Sequence, residues 1–512
     1  MSLALFWGMH TFQPIALSIV LLAGCSVQFP AETGHGHAVT PGDEGKADNY
    51  VSTNAREYDL LGEVEGVLPT GFADMTESEQ EQALRDAADR KLSSVRRAIE
   101  RHIRTTLAQH NGGVTGEDAD WFTYIRRDAG EVMEVERVGD DAYRFSFRIN
   151  LVGNVLLMSK LAPEARSRRS FEVALGSGDV EEYLEVRIQG SESRDAFPRY
   201  AELFEDGVYD IAVHFGGDYN DGRFDLETAK WLVETLVENG WTNDEVRTFD
   251  DLKIDSPPFT RQLEIEGRSV EARVYVFHAE LADAENAEHL AEAMRESFRT
   301  TDVVIYSGHA GENAGFILDY HPRFEIPARD FATMPMAEKY QIFVLDGCRT
   351  YRTYVDDILE NPSKSYDNVD IVTTVNTTPF SVGYQTIHEF IHWLTFTDRM
   401  GRHFPVSWMS ILRGLNTESF DSVHYGVHGI DANPQLNPHS GEEALCAPCQ
   451  QDSDCGGGGN FCLNYGNGTS GCGVACTTDS ACGRGFRCAR VFDAEEYFYI
   501  PKQCVPTGYS CQ

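Results

Sequence analysis

Asp302-Val-Val-Ile-Tyr-Ser-Gly-His-Ala-Gly311 and, after a spacer, Gln341-Ile-Phe-Val-Leu-Asp-Gly-Cys-Arg-Thr-Tyr351 are two short apolar runs, each ending abruptly in a polar turn that contains glycine. Runs of this length, rich in Val, Ile and Phe, predict fully buried strands. His309 and Cys348 sit in the turns. In an open, mostly parallel α/β sheet, groups just past the carboxyl ends of neighbouring strands point into one crevice. A thiol and an imidazole in that crevice are the types needed for a nucleophile and its proton-transfer partner. A single thiol or imidazole after a strand is otherwise ordinary core material. The reading therefore rests on both turns together.

Tyr306-Ser-Gly-His-Ala-Gly311 resembles the histidine block of the caspase-like cysteine peptidases, the clan of caspases, metacaspases, legumain, clostripain and gingipains; Val344-Leu-Asp-Gly-Cys-Arg-Thr350 resembles their cysteine block. The blocks stand in the family's order, 39 residues apart, somewhat closer than the roughly 50 of caspases. Many relatives have Gly where this chain has Ala310, a change that keeps the backbone N–H but disfavours positive φ. The resemblance implies an α/β, caspase-like three-layer fold with a mostly parallel sheet. It also implies a cysteine endopeptidase without cofactor that acts on protein or peptide substrates. His309 and Cys348 would be its catalytic residues, and the backbone N–H groups of Ala310 and Cys348 its oxyanion donors. The residue two before the cysteine often lines the family's specificity pocket, and here it is Asp346. A carboxylate there would pair with Arg or Lys before the scissile bond, and bidentate pairing would favour Arg. The other reading of Asp346 is a hydrogen bond to its own turn.

The chain has 512 residues, enough for two or three domains. Its net charge of −38, from 43 basic and 81 acidic residues, argues against nucleic acid and against an anionic membrane surface as partners. An apolar run from Pro14 to Leu22 is too short to span a membrane and suits a signal-peptide core. It ends in Leu22-Ala-Gly-Cys25, which resembles a bacterial lipobox, although no Lys or Arg precedes the run. Residues 1–25 are thus expected to be a lipoprotein signal with Cys25 lipidated. The expected location is the cell envelope or outer surface of a bacterium, held to the membrane by the lipid anchor; plain secretion is the alternative. Of the 12 cysteines, ten lie between Cys446 and Cys511. An even set so confined predicts a disulfide framework and an oxidising compartment.

Residues 26–57 have linker composition, His35 and His37 included, and are expected to be a flexible tether. Residues 58–200 are expected to form an α+β accessory or pro-domain. Thr76 and Glu79 make a capping box, followed by a helix with Leu84, Ala88, Leu92, Val95, Ile99 and Ile103 on one face. Tyr143 to Asn150, Phe171 to Leu175 and Tyr183 to Ile188 read as strands. The basic stretch Arg166 to Arg169 is a candidate self-cleavage loop or an ordinary solvated one. Residues 201–437 alternate strand and helix as a parallel sheet requires. Strands are expected at Tyr209 to Phe215, Val270 to Phe277, Asp302 to Tyr306, Gln341 to Leu345 and Asp370 to Thr374, with late helices near Thr386 to Phe396 and Val406 to Leu415. Residues 444–512 are expected to be a small disulfide-rich module. In it Cys449-x-x-Asp-Ser-x-Cys455-Gly recurs as Cys476-x-x-Asp-Ser-x-Cys482-Gly. Its pairing is not readable from spacing, and zinc at Cys446-x-x-Cys449 is the minor alternative.

One motif competes with the cysteine reading. His388-Glu389-Phe-Ile-His392 is a literal H-E-x-x-H, which on a helix sets two imidazoles on one face with Glu389 as general base of a zinc peptidase. The third ligand would have to be His403 or Glu418, and Ile387, Ile391 and Leu394 equally mark a plain core face. A third possibility is a catalytically inert, surface-anchored binding protein whose tail engages a ligand. The oligomeric state is left open by the sequence.

Overall fold

The structure is a computed structural model that describes residues 50–507, apart from 111–122, 126–129, 162–169, 176–181, 192–195, 266, 283–287, 311–314, 321–322, 398–400, 420–422, 431–434, 436–444, 451, 456–459, 466–469, 477–481, 483–485 and 494–497. Cys25 and the basic stretch 166–169 lie outside the described residues.

The amino-terminal part is a helix on an antiparallel sheet. After a two-residue strand β1 (Val51–Ser52) come β2 (Ala55–Val67) and α1 (Glu77–His110). They are followed by β3 (Thr123–Ile125), β4 (Glu131–Val138), β5 (Ala142–Asn154), α2 (Val155–Leu161), β6 (Ser170–Ala174) and β7 (Tyr183–Gly190). The expected capping box starts α1: the Thr76 N–H and hydroxyl donate to Glu79, and the Glu79 N–H donates to the Thr76 hydroxyl. Leu84, Ala88, Leu92, Val95, Ile99 and Ile103 are all buried, packed on the inward face of β5 formed by Tyr143, Phe145, Phe147, Ile149 and Leu151. The sheet runs β3-β5-β2-β7-β6, with β4 also on β5.

The tether expected over 26–57 does not reach residue 57, because β1 and β2 occupy most of 51–57. β1 pairs antiparallel with the last strand of the central sheet, Val51 opposite Val427. Tyr50 is buried against the rings of Tyr351 and His428, and its hydroxyl donates to the His424 carbonyl. A Cβ on Gly426 would fall inside the Tyr50 ring. Gly426→Ala is therefore expected to destabilise the protein by about 1–3 kcal/mol through overpacking. Urea unfolding of this variant, alone and combined with Tyr50→Ala, checks it; the penalty should shrink in the double variant.

Next comes a three-layer α/β unit. Its elements are α3 (Tyr200–Leu203), β8 (Val208–Phe215), α4 (Phe224–Glu238), β9 (Phe259–Ile265), β10 (Arg268–Phe277), α5 (Glu288–Thr300) and β11 (Val303–Ser307). A hairpin of β12 (Phe316–Tyr320) and β13 (Arg323–Ile326) follows, then β14 (Gln341–Asp346), α6 (Thr350–Leu359), β15 (Val369–Thr374), α7 (Phe380–Leu394), α8 (Trp408–Glu418) and β16 (Tyr425–His428). The central sheet runs β1-β16-β15-β14-β11-β8-β10-β9. From β15 to β10 all neighbours are parallel; β9, β16 and β1 are antiparallel edges. Alternation along each buried strand divides the core. Ile211 and Val213, Val303 and Ile305, and Ile342 and Val344 face α4, α7 and α8. Val304 and Tyr306, and Phe343 and Leu345, face α5 and α6. Because connections run to both sides of β8, its carboxyl end and that of β11 flank the topological switch point, where such sheets place their crevice.

The tail carries β17 (Cys462–Asn464), β18 (Ser470–Cys472), β19 (Phe486–Asp493) and β20 (Phe498–Pro506). Disulfides join Cys449 to Cys462, Cys455 to Cys472, Cys476 to Cys488 and Cys482 to Cys504. Cys446 is also disulfide-bonded, which removes it from any zinc site. Each sequence repeat thus pairs its first cysteine with its third and its second with its fourth. Closing a loop of about 15 residues contributes about 3 kcal/mol in the chain-entropy account, which supports segments too rich in glycine for a core of their own. Val474, Cys476, Cys482 and Cys504 also join the buried cluster of the α/β unit, so this module packs onto it.

Candidate active site

Three turns at the carboxyl edge of the central sheet build the site. β11 and β14 pair in parallel with Ser307 opposite Asp346. His309 and Cys348 each stand two residues beyond that pair, on adjacent strands about 4.8 Å apart. The turns themselves touch: the Gly308 N–H donates to the Asp346 carbonyl (3.0 Å). A Cβ on Gly347 would lie 2.7 Å from the Gly308 oxygen and 2.9 Å from the Ala310 Cβ, so only glycine fits between them.

Cys348 occupies a sharp strand-to-helix turn. Arg349, the residue after it, has φ of 56° and stands at the N-cap of α6. This left-handed conformation is uncommon for a residue other than glycine and is held from both sides. The Arg349 N–H donates to the Asn376 carbonyl (3.0 Å), and the Thr350 hydroxyl donates to the Leu345 carbonyl (2.6 Å). The Gly347 carbonyl accepts the hydroxyls of Thr374 and Thr378, and the Cys348 Sγ lies 4.0 Å from the Thr378 carbonyl. Cys348 is 6% exposed and stands outside the disulfides. Ala310 is buried and not among the residues with positive φ, so its substitution for Gly brings no strain here.

His309 is 9% exposed and boxed by three rings: Tyr219 stacks on its face (centroids 4.8 Å apart), while Phe380 (5.0 Å) and Tyr320 (5.6 Å) meet it edge-on. Its Nε2 lies 3.2 Å from the Asp218 Oδ1. Asp218 follows β8 through Gly216 and Gly217, and it is buried. It is fixed in turn by the Asn220 N–H (3.0 Å), the Asn220 amide (2.6 Å) and the Phe224 N–H at the start of α4 (3.2 Å). A carboxylate so held sets the ring's tautomer and orientation. Reading along the sheet edge, the order is Cys348 after β14, His309 after β11 and Asp218 after β8. The sequence reading missed Asp218. An acidic residue after a strand is common, and only the sheet order makes β8 the neighbour of β11.

Asp346 continues the face of Ile342 and Val344, beneath α7. It is buried; its Oδ2 accepts the Ser307 hydroxyl and its Oδ1 the Tyr425 hydroxyl, each at 2.7 Å. Burial pushes its carboxyl above the usual range, and the two hydroxyl donors oppose that shift. Among the described residues no basic side chain pairs with it. Its nearest helical neighbour is Gly383, whose Cβ would stand 3.8 Å from the Asp346 Oδ2 and from the Ser307 Oγ.

His388, Glu389 and His392 do lie on one helix, α7. The His388 Nε2 meets the Asn239 amide (3.1 Å) and its ring abuts Trp231; the His392 ring packs on Trp393 and Phe396. The Glu389 carboxylate accepts the Trp393 indole N–H, and burial, aided by Glu418, pushes it up. His403 is turned to the Leu394 carbonyl (3.1 Å) between the rings of Tyr200 and Phe204. Among the described residues the only groups of three side chains spaced to hold a metal are disulfide cysteines. Among the described residues no third ligand stands beside His388 and His392, whose rings pack on the flank of α7.

Comparison of the chain with protein-family models, with curated proteins and with solved structures finds no match.

Proposed function

We propose that the protein is a cysteine endopeptidase of the caspase-like type that cleaves after Arg or Lys. The observation that supports it most is the alignment of Cys348, His309 and Asp218 at the ends of three adjacent parallel strands, with a buried carboxylate, Asp346, two residues before the thiol and without a cation among the described residues.

The mechanism follows from the groups present. The Cys348 thiolate attacks the scissile carbonyl carbon, and a C–S bond forms as the C=O electrons move to oxygen. The N–H groups of Cys348 and Ala310 receive that oxyanion. His309, oriented by Asp218, protonates the leaving nitrogen, and the C–N bond breaks to give an amine and a thioester. His309 then takes a proton from water, whose oxygen attacks the thioester carbon; the C–S bond breaks, the acid leaves, and the Cys348 thiolate and protonated His309 are restored.

Hydrolysis of a peptide panel by the protein from residue 26 onward tests this reading. Cleavage after Arg and Lys that disappears in Cys348→Ala is expected, whereas cleavage that survives it would refute the proposal. Asp218 acts through His309, so Asp218→Asn should lower kcat by roughly a hundredfold, within the contribution of general acid–base catalysis, and leave KM unchanged. Steady-state kinetics separates this from a structural role, which would move both. His388→Ala should leave hydrolysis unaltered and cost about 1 kcal/mol of stability for its bond to Asn239, measured by thermal unfolding.

Lipid anchoring at Cys25 on the outer face of a bacterial envelope completes the proposal. The disulfides of the tail support an oxidising compartment. No described helix is long and apolar enough to cross a membrane.

A further inference from the structure

We infer that the site also selects the residue after the cleaved bond, which sits on an aromatic platform of Tyr219, Phe224 and Phe380 and is itself a large apolar side chain, best an aromatic one. The inference rests on the reading of Cys348 and His309 as the catalytic pair.

The order of strands supplies the direction. Cys348 must stand at the carbonyl carbon and His309 at the leaving nitrogen. Substrate beyond that nitrogen continues along the sheet edge away from β14, across β11 toward β8. The turn after β8 carries Tyr219, which is 45% exposed yet stacked on the His309 ring. Phe224, in the first turn of α4, is 38% exposed and stacks on Phe380 (centroids 5.6 Å apart), which meets His309 edge-on. A soluble surface rarely leaves aromatic faces clustered without use. These belong to a continuous group touching the proton donor. The turn is also rigid: Asp218 fixes Asn220 and Phe224 by three hydrogen bonds, so the platform is preformed. An apolar wall discriminates between side chains by burial, typically tenfold or more for a large one over none. Aromatic pairs add stacking to that.

The test uses two internally quenched peptides that differ only in having Phe or Gly after a single Arg. The full chain, Phe224→Ser and Tyr219→Ser are compared by kcat/KM, and products are located by mass spectrometry. The expected result is a preference for Phe of roughly tenfold or more in the unaltered protein, shrinking to about a third of that or less in either variant. Equal cleavage of both peptides by the unaltered protein, or a preference that persists in both variants, overturns the platform and leaves the catalytic pair standing. Cleavage of neither peptide, or cleavage that persists in Cys348→Ala, overturns the catalytic reading and this inference together.

Discussion

Cys348→Ala is expected to reduce peptide hydrolysis by roughly ten-thousandfold or more, and His309→Ala by a similar factor, because in the proposed mechanism nucleophile and proton carrier act as a unit. The double variant should then be hardly worse than either single one. That non-additivity distinguishes loss of a catalytic pair from two independent injuries to the fold. Both side chains are nearly buried, so folding must be checked alongside. Cys348→Ala removes one sulfur from a turn whose shape is held by Gly347, Arg349 and Thr350 backbone and hydroxyl contacts. A small stability change, seen by circular dichroism and thermal unfolding, should accompany the large kinetic one. Hydrolysis within tenfold of the unaltered protein would contradict the assignment.

The second large effect concerns Asp346. With its two oxygens already taking hydroxyls from Ser307 and Tyr425, this carboxylate is held in place yet lacks a counter-charge among the described residues. A substrate Arg or Lys would supply it. Losing one partner of a buried charge pair costs about 3–5 kcal/mol, so Asp346→Asn should lower kcat/KM for Arg peptides by roughly a hundred- to thousandfold. Peptides with an uncharged residue at that position should lose far less. The pH dependence has a definite sign. Only the ionised carboxylate attracts the cation, and burial raises its pKa. Affinity for Arg peptides should therefore fade as pH drops, starting above the ordinary carboxylate value of about 3.9. For stability the sign is opposite to that of a salt-bridged Asp. A folded pKa above the unfolded one means that the folded state binds the extra proton, so stability falls as pH rises through that window. Asp346→Asn is thus expected to be at least as stable as the unaltered protein at neutral pH while failing on Arg peptides. Urea titrations at neutral and acidic pH, paired with KM measurements, check both signs.

How much of this was legible in the sequence depended on whether the signal was local. Strands such as Val303–Ser307 and Gln341–Asp346 are buried on both faces and read as unbroken apolar runs, so their place and type were apparent. The capping box at Thr76 and the apolar stripe of α1 are likewise written within a few residues. α7 begins at Phe380, nearly two turns before the expected start near Thr386; Pro379 occupies the N-cap, where its φ of −72° suits it. What was not legible is pairing at a distance. Nothing near Val51 announces that it completes a sheet at Val427, and nothing near Asp218 announces His309. The disulfide pattern of the tail was closed for the same reason: spacing shows a repeat but not its partners. The H-E-x-x-H motif is the reverse case, a local pattern plain in the sequence whose contacts with Trp231, Asn239 and Trp393 are set by packing at a distance and along α7.

The most direct test of the central claim is covalent trapping. The full chain would be incubated with a short peptide ending in an arginyl chloromethyl ketone, digested, and the adduct located by mass spectrometry. The account predicts one equivalent bound as a thioether on Cys348, absent from Cys348→Ala and strongly slowed in Asp346→Asn. An adduct elsewhere, or equal labelling of Cys348 by a glutamyl ketone, would contradict it.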